Sequence, residues 1–410
     1  MMSITTPEQF FDCLSDSGIL SETDVQAARQ MTAGLPDART VAKRLANQGF
    51  LSRWQALQVL AGKLPAYLGK YKLLDQLGAS ETGAAFLAEH EQMERRVVVK
   101  VVNRKGLQAK DALDQFLDEA RHLAAIDHRN MIHVFDVDST GGQYYLVLEY
   151  VEGESLQSFV DRHGPLAFDA AAGYIALSAS ALAEAHQQQI WHHRLQPDRL
   201  LLDMHGELKV LDIGLARLAD PQEDQRRASD QESGDVDYVA PEQATGKNKV
   251  DHRADVYALG CCFYFLLTGQ VPYGQGNRAQ RLKARLRPTA PDVRELRPDT
   301  PQELAEICAQ MMATQPRQRL SIEQVGRQLG SWLKQQQAAQ LSATALNEPP
   351  ATIPAAAGKN GEEPQAFPIL GDTEGRSRPT SAQVPDAGEE EDEEEELAEL
   401  LDDDQNKKVW

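Results

Sequence analysis

The spacing of apolar residues changes character twice along the chain. Over residues 1–65 they recur at helical intervals, with Phe10, Phe11, Leu14, Val25, Val41, Leu45 and Leu51 separated by polar positions. Thr6-Pro7-Glu8 joins an N-cap to a proline in the first turn, and Gly18 supplies a stop. Ser21 caps a second helix, a third runs to Gly49, and Ser52 opens a fourth that carries Trp54, Leu57 and Leu60. About sixty residues bury only a marginal core alone, so this helical unit is expected to pack on its neighbour.

From Tyr71 the period shortens. YKLLDQLG, AAFLAEH and RVVVKVV read as strands parted by turn residues, residues 111–125 as a helix, and HVFDVDS and YYLVLEYV as further strands. After Gly153 the pattern is mostly helical to Trp332. The expected class is α+β, with a small β-rich lobe over 71–152 and a larger helical lobe over 153–332. VYALGCCFYFLLTG at 256–269 is too short and too rich in small residues to span a bilayer, and predicts a buried core helix. Residues 338–410 are Pro- and Ala-rich and then acidic, with GEEEDEEEELAELLDDD at 388–404. Low hydrophobicity and self-repulsion predict disorder there.

Charge sharpens this division. Of the formal net charge of -20, residues 341–410 hold -13, from 18 Asp and Glu against 5 Lys and Arg. So acidic a chain repels nucleic acid and anionic membrane surfaces, which favours protein partners and, for the tail, a basic one. The tail reads either as a solubilising segment or as an acidic docking segment in which LAELL folds on binding. Cys13, Cys261, Cys262 and Cys308 show no CxxC or zinc spacing, so reduced thiols and a cytoplasmic setting are expected. MMSITTPEQFFD lacks the basic-then-apolar layout of a signal peptide.

The candidate chemistry lies in an ordered series of motifs: LGASETGAAF, VVVK ending at Lys100, FLDEARHLAAIDHRN around Glu119, LEYVEGESL, IWHHRLQP, KVLDIG around Asp212, VAPE, DHRADVYALG and TQPRQRLS. In this order and spacing the chain resembles bacterial serine/threonine protein kinases. The stretch GFLSRWQALQVLAGKLPAYLGKYKLL is similar to the lead-in of planctomycete members of that group. The resemblance implies a two-lobed kinase-like fold and a nucleotide site for ATP. Gly78, Ser80 and Gly83 would form the phosphate loop, although Ser80 stands at the middle glycine. Lys100 would contact phosphate and be held by Glu119. Asp212 would bind the metal, with Ile213 replacing the family's Phe and packing on His192, Leu123 and Val134.

Ala85, Val98, Leu148 and Leu201 fall at the adenine pocket. Ala85 is smaller and Val98 larger than usual, which leaves either a purine pocket of conserved volume or a filled cleft. Asp255 matches the aspartate that anchors the catalytic loop, and Glu242 and Arg319 match a structural ion pair.

Aligned on Leu195, Pro197 and Leu200-Leu201, the catalytic loop departs from the pattern. Arg194 stands at the base aspartate, Gln196 at the lysine and Arg199 at the metal-binding asparagine. A positioned base is worth about 10²–10⁴-fold in rate, and arginine accepts no proton near neutrality. The resemblance therefore implies a degenerate, pseudokinase-like member in which Mg2+ binding by Asp212 is compromised. Two guanidiniums beside Asp212 would either take over part of the metal's electrostatic role or neutralise the carboxylate. The alternatives are an active kinase that recruits another carboxylate such as Asp198, and a nucleotide sensor that binds ATP without metal through Lys100, Arg199 and Arg194. Asp235 stands where the substrate-facing threonine is expected, and Arg226 to Ser229 forms a candidate phosphorylation motif. No metal-ligand geometry is assigned to His128, His133, His192 or His193.

Overall fold

The computed structural model describes residues 4–63, 67–80, 83–102, 110–214, 235–245, 250–287 and 289–347, with backbone alone at 79, 80, 110–113, 115, 119, 235 and 341–347. The Arg226–Ser229 motif and the acidic run at 388–404 lie outside the described residues.

Four helices open the chain: α1 (Pro7–Ser17), α2 (Glu22–Met31), α3 (Ala38–Asn47) and α4 (Arg53–Leu60). The Thr6, Ser21 and Ser52 side chains each accept from the third backbone N–H of their helix, so the expected caps form. The third helix stops at Asn47, slightly short of Gly49, because Gln48 already takes the C-cap. Phe10, Leu14, Val41, Leu45 and Val59 are fully buried at the centre of this unit. α4 docks it on the neighbouring sheet. Trp54 packs on Phe86 with ring centroids 5.6 Å apart, Gln55 Nε2 donates to the Leu73 carbonyl at 2.7 Å, and Ser52 Oγ donates to the Leu74 carbonyl.

The sheet has six antiparallel strands in the order β1-β2-β3-β4-β6-β5. They are β1 (Tyr67–Leu68), β2 (Tyr71–Ser80), β3 (Gly83–His90), β4 (Arg95–Val102), β5 (Val134–Thr140) and β6 (Gln143–Glu149). Helix α5 (Lys110–Ala124) joins β4 to β5. Gly83 has no alternative at its position, since a Cβ there would stand 1.9 Å from the Val101 carbonyl oxygen of the paired strand.

The second lobe is helical, as expected, with one addition. A small antiparallel sheet of β7 (Gly153–Ser155), β8 (Leu200–Asp203) and β9 (Leu208–Val210) lies within it. Helices α6 (Leu156–His163) and α7 (Phe168–Gln187) follow β7, and α8 (Pro241–Thr245) and α9 (Arg253–Thr268) follow β9. α10 (Arg278–Ala284), α11 (Gln302–Met311) and α12 (Ile322–Asn347) complete the lobe. Every residue of α9 from Ala254 to Leu267 is buried, so the longest apolar run is the core helix its composition predicts. No helix among the described residues is long and apolar enough to cross a membrane. Cys261, Cys262 and Cys308 are buried free thiols, and burial raises each thiol pKa.

Candidate active site and its framework

The catalytic-loop stretch is shaped from below by Asp255 on α9. Its fully buried carboxylate accepts from the His192 backbone N–H at 2.9 Å and the His193 backbone N–H at 2.7 Å. A ring nitrogen of His186 lies 2.9 Å from the same group. These bonds hold His193 at φ 61°, a left-handed backbone that costs a non-glycine residue about 1 kcal/mol. Gln243 ties the loop to α8, donating to the His193 carbonyl at 3.0 Å while accepting from the Ala240 N–H at 3.0 Å. Burial alone would raise the Asp255 carboxyl, but His186 and its neighbours hold it well below the usual carboxylate range.

Glu242 and Arg319 form the expected pair, and it is bidentate. The contacts are Nη1 to Oε1 at 2.6 Å and Nη2 to Oε2 at 2.8 Å. Arg319 also donates to the Arg253 and Ala313 carbonyls and lies over the Tyr257 ring. The charge is thus paired and hydrogen-bonded, the condition under which burial is tolerated.

Above this framework lies the site itself. Lys100 sits in mid-sheet on β4, opposite Ala85 on β3 and Leu146 on β6. Its Nζ is 2.6 Å from Asp212 Oδ1. The side chain of Glu119, the partner the resemblance implies for Lys100, lies outside the described residues, and so does that of Ser80. The second oxygen of Asp212 is also taken, by Arg199 Nη1 at 3.2 Å. Local backbone aims Arg199 there. It ends the turn Pro197–Arg199, and its carbonyl accepts from the Leu211 N–H at 2.9 Å, which sets the arginine beside Asp212.

Asp212 itself adopts φ 59°. Burial opposes its ionisation, yet Lys100 and Arg199 together hold it well below the usual carboxylate range. The Arg199 guanidinium, one of the two considered for this carboxylate, contacts it. Arg194 lies upstream of the Pro197–Arg199 turn, with its backbone N–H 3.3 Å from His192 Nδ1. Asp198 accepts from Gln196 Nε2 at 3.1 Å and lies 3.7 Å from Arg199 Nε, so its carboxylate is already engaged.

The turn after Asp212 packs closely. Ile213, Leu123 and His192 are buried, and a Cβ at Gly214 would meet Leu123 Cδ2 at 2.7 Å. Leu123, Val134, Leu148, Asp212 and Ile213 share the lining of a small cavity of about 20 Å3, room for one water. Burial pushes the His192 imidazole down, so it is neutral at neutral pH.

Ala85, Val98, Leu148 and Leu201 are all buried, and Val98 pairs directly with Leu148 across β4 and β6. Gly78 on β2 pairs with Ala85 on β3. Asp235 opens the short turn Asp235–Asp237, whose Asp237 is bound by Arg281 at 2.7 Å.

Sequence reasoning missed three partners. His186 and Gln243 carry no motif and reach the loop from elsewhere in the chain. His133 sits between two carboxylates, Nδ1 3.0 Å from Glu149 and Nε2 3.1 Å from Asp127, while Lys209 Nζ is 3.0 Å from Glu149.

Comparison with known proteins agrees with this architecture. Residues 71–329 match the protein kinase domain. The serine/threonine-protein kinase Pkn1 of Myxococcus xanthus is 38% identical over 228 residues, covering 54% of this chain and 32% of Pkn1. PrkC, a serine/threonine-protein kinase of Bacillus subtilis, is 30% identical over 248 residues, covering 60% of this chain and 38% of PrkC. The chain thus spans less than two fifths of the length of these relatives.

Among solved structures, the PknI kinase domain of Mycobacterium tuberculosis superposes with a TM-score of 0.50 at 24% identity, covering 65% of this chain and 96% of that one. Rad53 in complex with AMP-PNP gives a TM-score of 0.53 at 21% identity, covering 63% and 64%. At such identities these two structures speak for the fold alone. With its kinase-domain match running from the first residue of β2 into α12, this chain belongs to the protein kinase family and resembles its bacterial serine/threonine members.

Proposed function

We propose that the chain is a pseudokinase, a kinase fold that works by binding rather than by phosphoryl transfer. One observation carries this reading. The carboxylate that would hold a metal ion in an active kinase is closed by two cations, Lys100 at 2.6 Å and Arg199 at 3.2 Å. Phosphoryl transfer needs a metal to neutralise developing charge and a residue to orient the attacking hydroxyl. Arg199 and Arg194 stand at the positions that would supply the second metal ligand and the base, and neither offers a lone pair at neutral pH. ATP is the ligand in view, since Rad53 was solved with AMP-PNP and Lys100 is retained. The helical unit over 1–65 and the tail over 338–410 then act as interaction modules for protein partners, the acidic run favouring a basic one.

The competing reading is an atypical active kinase, favoured by the retention of lysine at 100 and aspartate at 212. Incorporation of phosphate from γ-labelled ATP, with magnesium or manganese, separates the two. The chain itself and a generic basic protein serve as acceptors, with Lys100→Met alongside. A pseudokinase incorporates no more than the mutant. Label that vanishes in Lys100→Met would establish an enzyme.

A further inference from the structure

The donor set at Asp212 does not fit magnesium. That ion demands near-octahedral oxygen ligands and is usually held by one or two carboxylates. Here both oxygens of the single carboxylate accept from cations, and the neighbouring family ligand position holds Arg199. Among the described residues no group of three His, Cys, Asp or Glu side chains is placed to hold a metal.

Resting on the pseudokinase reading, we propose that the cleft binds a nucleoside triphosphate as the metal-free anion, with the Arg199 guanidinium in the role of the absent metal ion. Lys100 and Arg199 set two cations around the carboxylate of Asp212, and Asp198, 3.7 Å from Arg199 Nε, offsets part of that charge. A guanidinium is planar, permanently charged and matched to phosphate oxygens in a two-pronged geometry. Arg199 is also prepositioned. The Leu211 N–H holds its carbonyl at 2.9 Å, and its side chain is 23% exposed, so the cation is fixed by backbone yet reaches solvent. Magnesium bound to the triphosphate would bring a second cation against Arg199. The complex with magnesium therefore binds more weakly than the free anion, the reverse of an ordinary kinase.

Calorimetric titration of the full chain with ATP, once in EDTA and once in excess magnesium, tests this. The wild type is expected to bind in EDTA and to lose affinity when magnesium is added. Arg199→Asn is expected to weaken binding in EDTA by about 10- to 100-fold, the worth of a charge-assisted hydrogen bond, and to regain it with magnesium. Arg199→Lys keeps the charge and loses the fork, so it weakens binding without creating a magnesium requirement, and it serves should the asparagine variant not fold. Wild-type binding that requires magnesium, binding in EDTA indifferent to Arg199, or no binding in either buffer would each overturn the proposal. These outcomes leave the pseudokinase reading standing, because only phosphate transfer in the labelling experiment removes that.

Discussion

Asp212 and Asp255 are both carboxylates held well below their ordinary range, yet their surroundings differ in kind. Asp255 takes two backbone N–H groups and a packed imidazole, partners fixed by the path of the chain. Asp212 takes the ends of two long side chains, Lys100 from β4 and Arg199 from the catalytic-loop turn. The first arrangement determines shape and the second determines charge. These partners are different residues, so on the pseudokinase reading the framework stays whole while the reaction centre differs. The bidentate Glu242–Arg319 pair belongs with Asp255, anchoring α8 to the base of the lobe.

The largest effect expected from this contrast is at Asp255. Replacing it by Ala strands two buried N–H groups and the His186 ring together, and should cost about 3–5 kcal/mol. Urea unfolding followed by fluorescence measures this, and a cost below about 1 kcal/mol would place Asp255 outside the framework. Asp212→Asn should cost less, about 2 kcal/mol at neutral pH, because Lys100 and Arg199 reach solvent in part and can relax outward.

The two variants also separate by pH. The Asp212 pKa is depressed on folding, so its contribution is fully present above the unfolded value of about 3.9 and is lost as pH falls below it. The gap between wild type and Asp212→Asn should therefore be constant from pH 7 to 5 and shrink below about pH 4. A gap that stays level down to pH 3 would mean that the ion pairs contribute nothing.

The framework was largely legible in the sequence, and the reaction centre only in part. Helix caps at Thr6, Ser21 and Ser52 are settled within three residues, so local chemistry decides them. The strands showed in their apolar alternation, and Asp255, Glu242 and Arg319 stood within motifs whose spacing is constrained by the core. Partner choice was harder to read. That His186 reaches Asp255 across 69 positions, or that Gln243 braces His193 across 50, depends on how α7, α8 and α9 pack. The sequence placed two arginines near Asp212, but that Arg199 Nη1 comes within 3.2 Å of it depends on the folding of the Pro197–Arg199 turn against Leu211. The strands β7 to β9 hid for another reason: two of the three have only three residues, too few to show a period.

Glu149 offers the finest test, because it mixes the two modes. It accepts from the His133 backbone N–H at 3.1 Å, a fixed partner, and from Lys209 Nζ at 3.0 Å, a movable one. The His133 ring lies between Glu149 and Asp127, and hydrogen bonding to Glu149 first, with Asp127 adding, raises its pKa against the opposing effect of burial. A raised folded value makes the His133 contribution complete below the unfolded pKa of about 6.5 and lost as pH climbs through the folded value. The imidazole side is 40% exposed, so solvent screening limits the effect to a few tenths of a kcal/mol. Between pH 6 and 8.5 the wild type should lose that much more stability than His133→Gln, read as the shift in urea midpoint. If the two proteins lose stability in parallel, the charged imidazole adds nothing, and Glu149 belongs with Asp255, held by backbone and Lys209 alone.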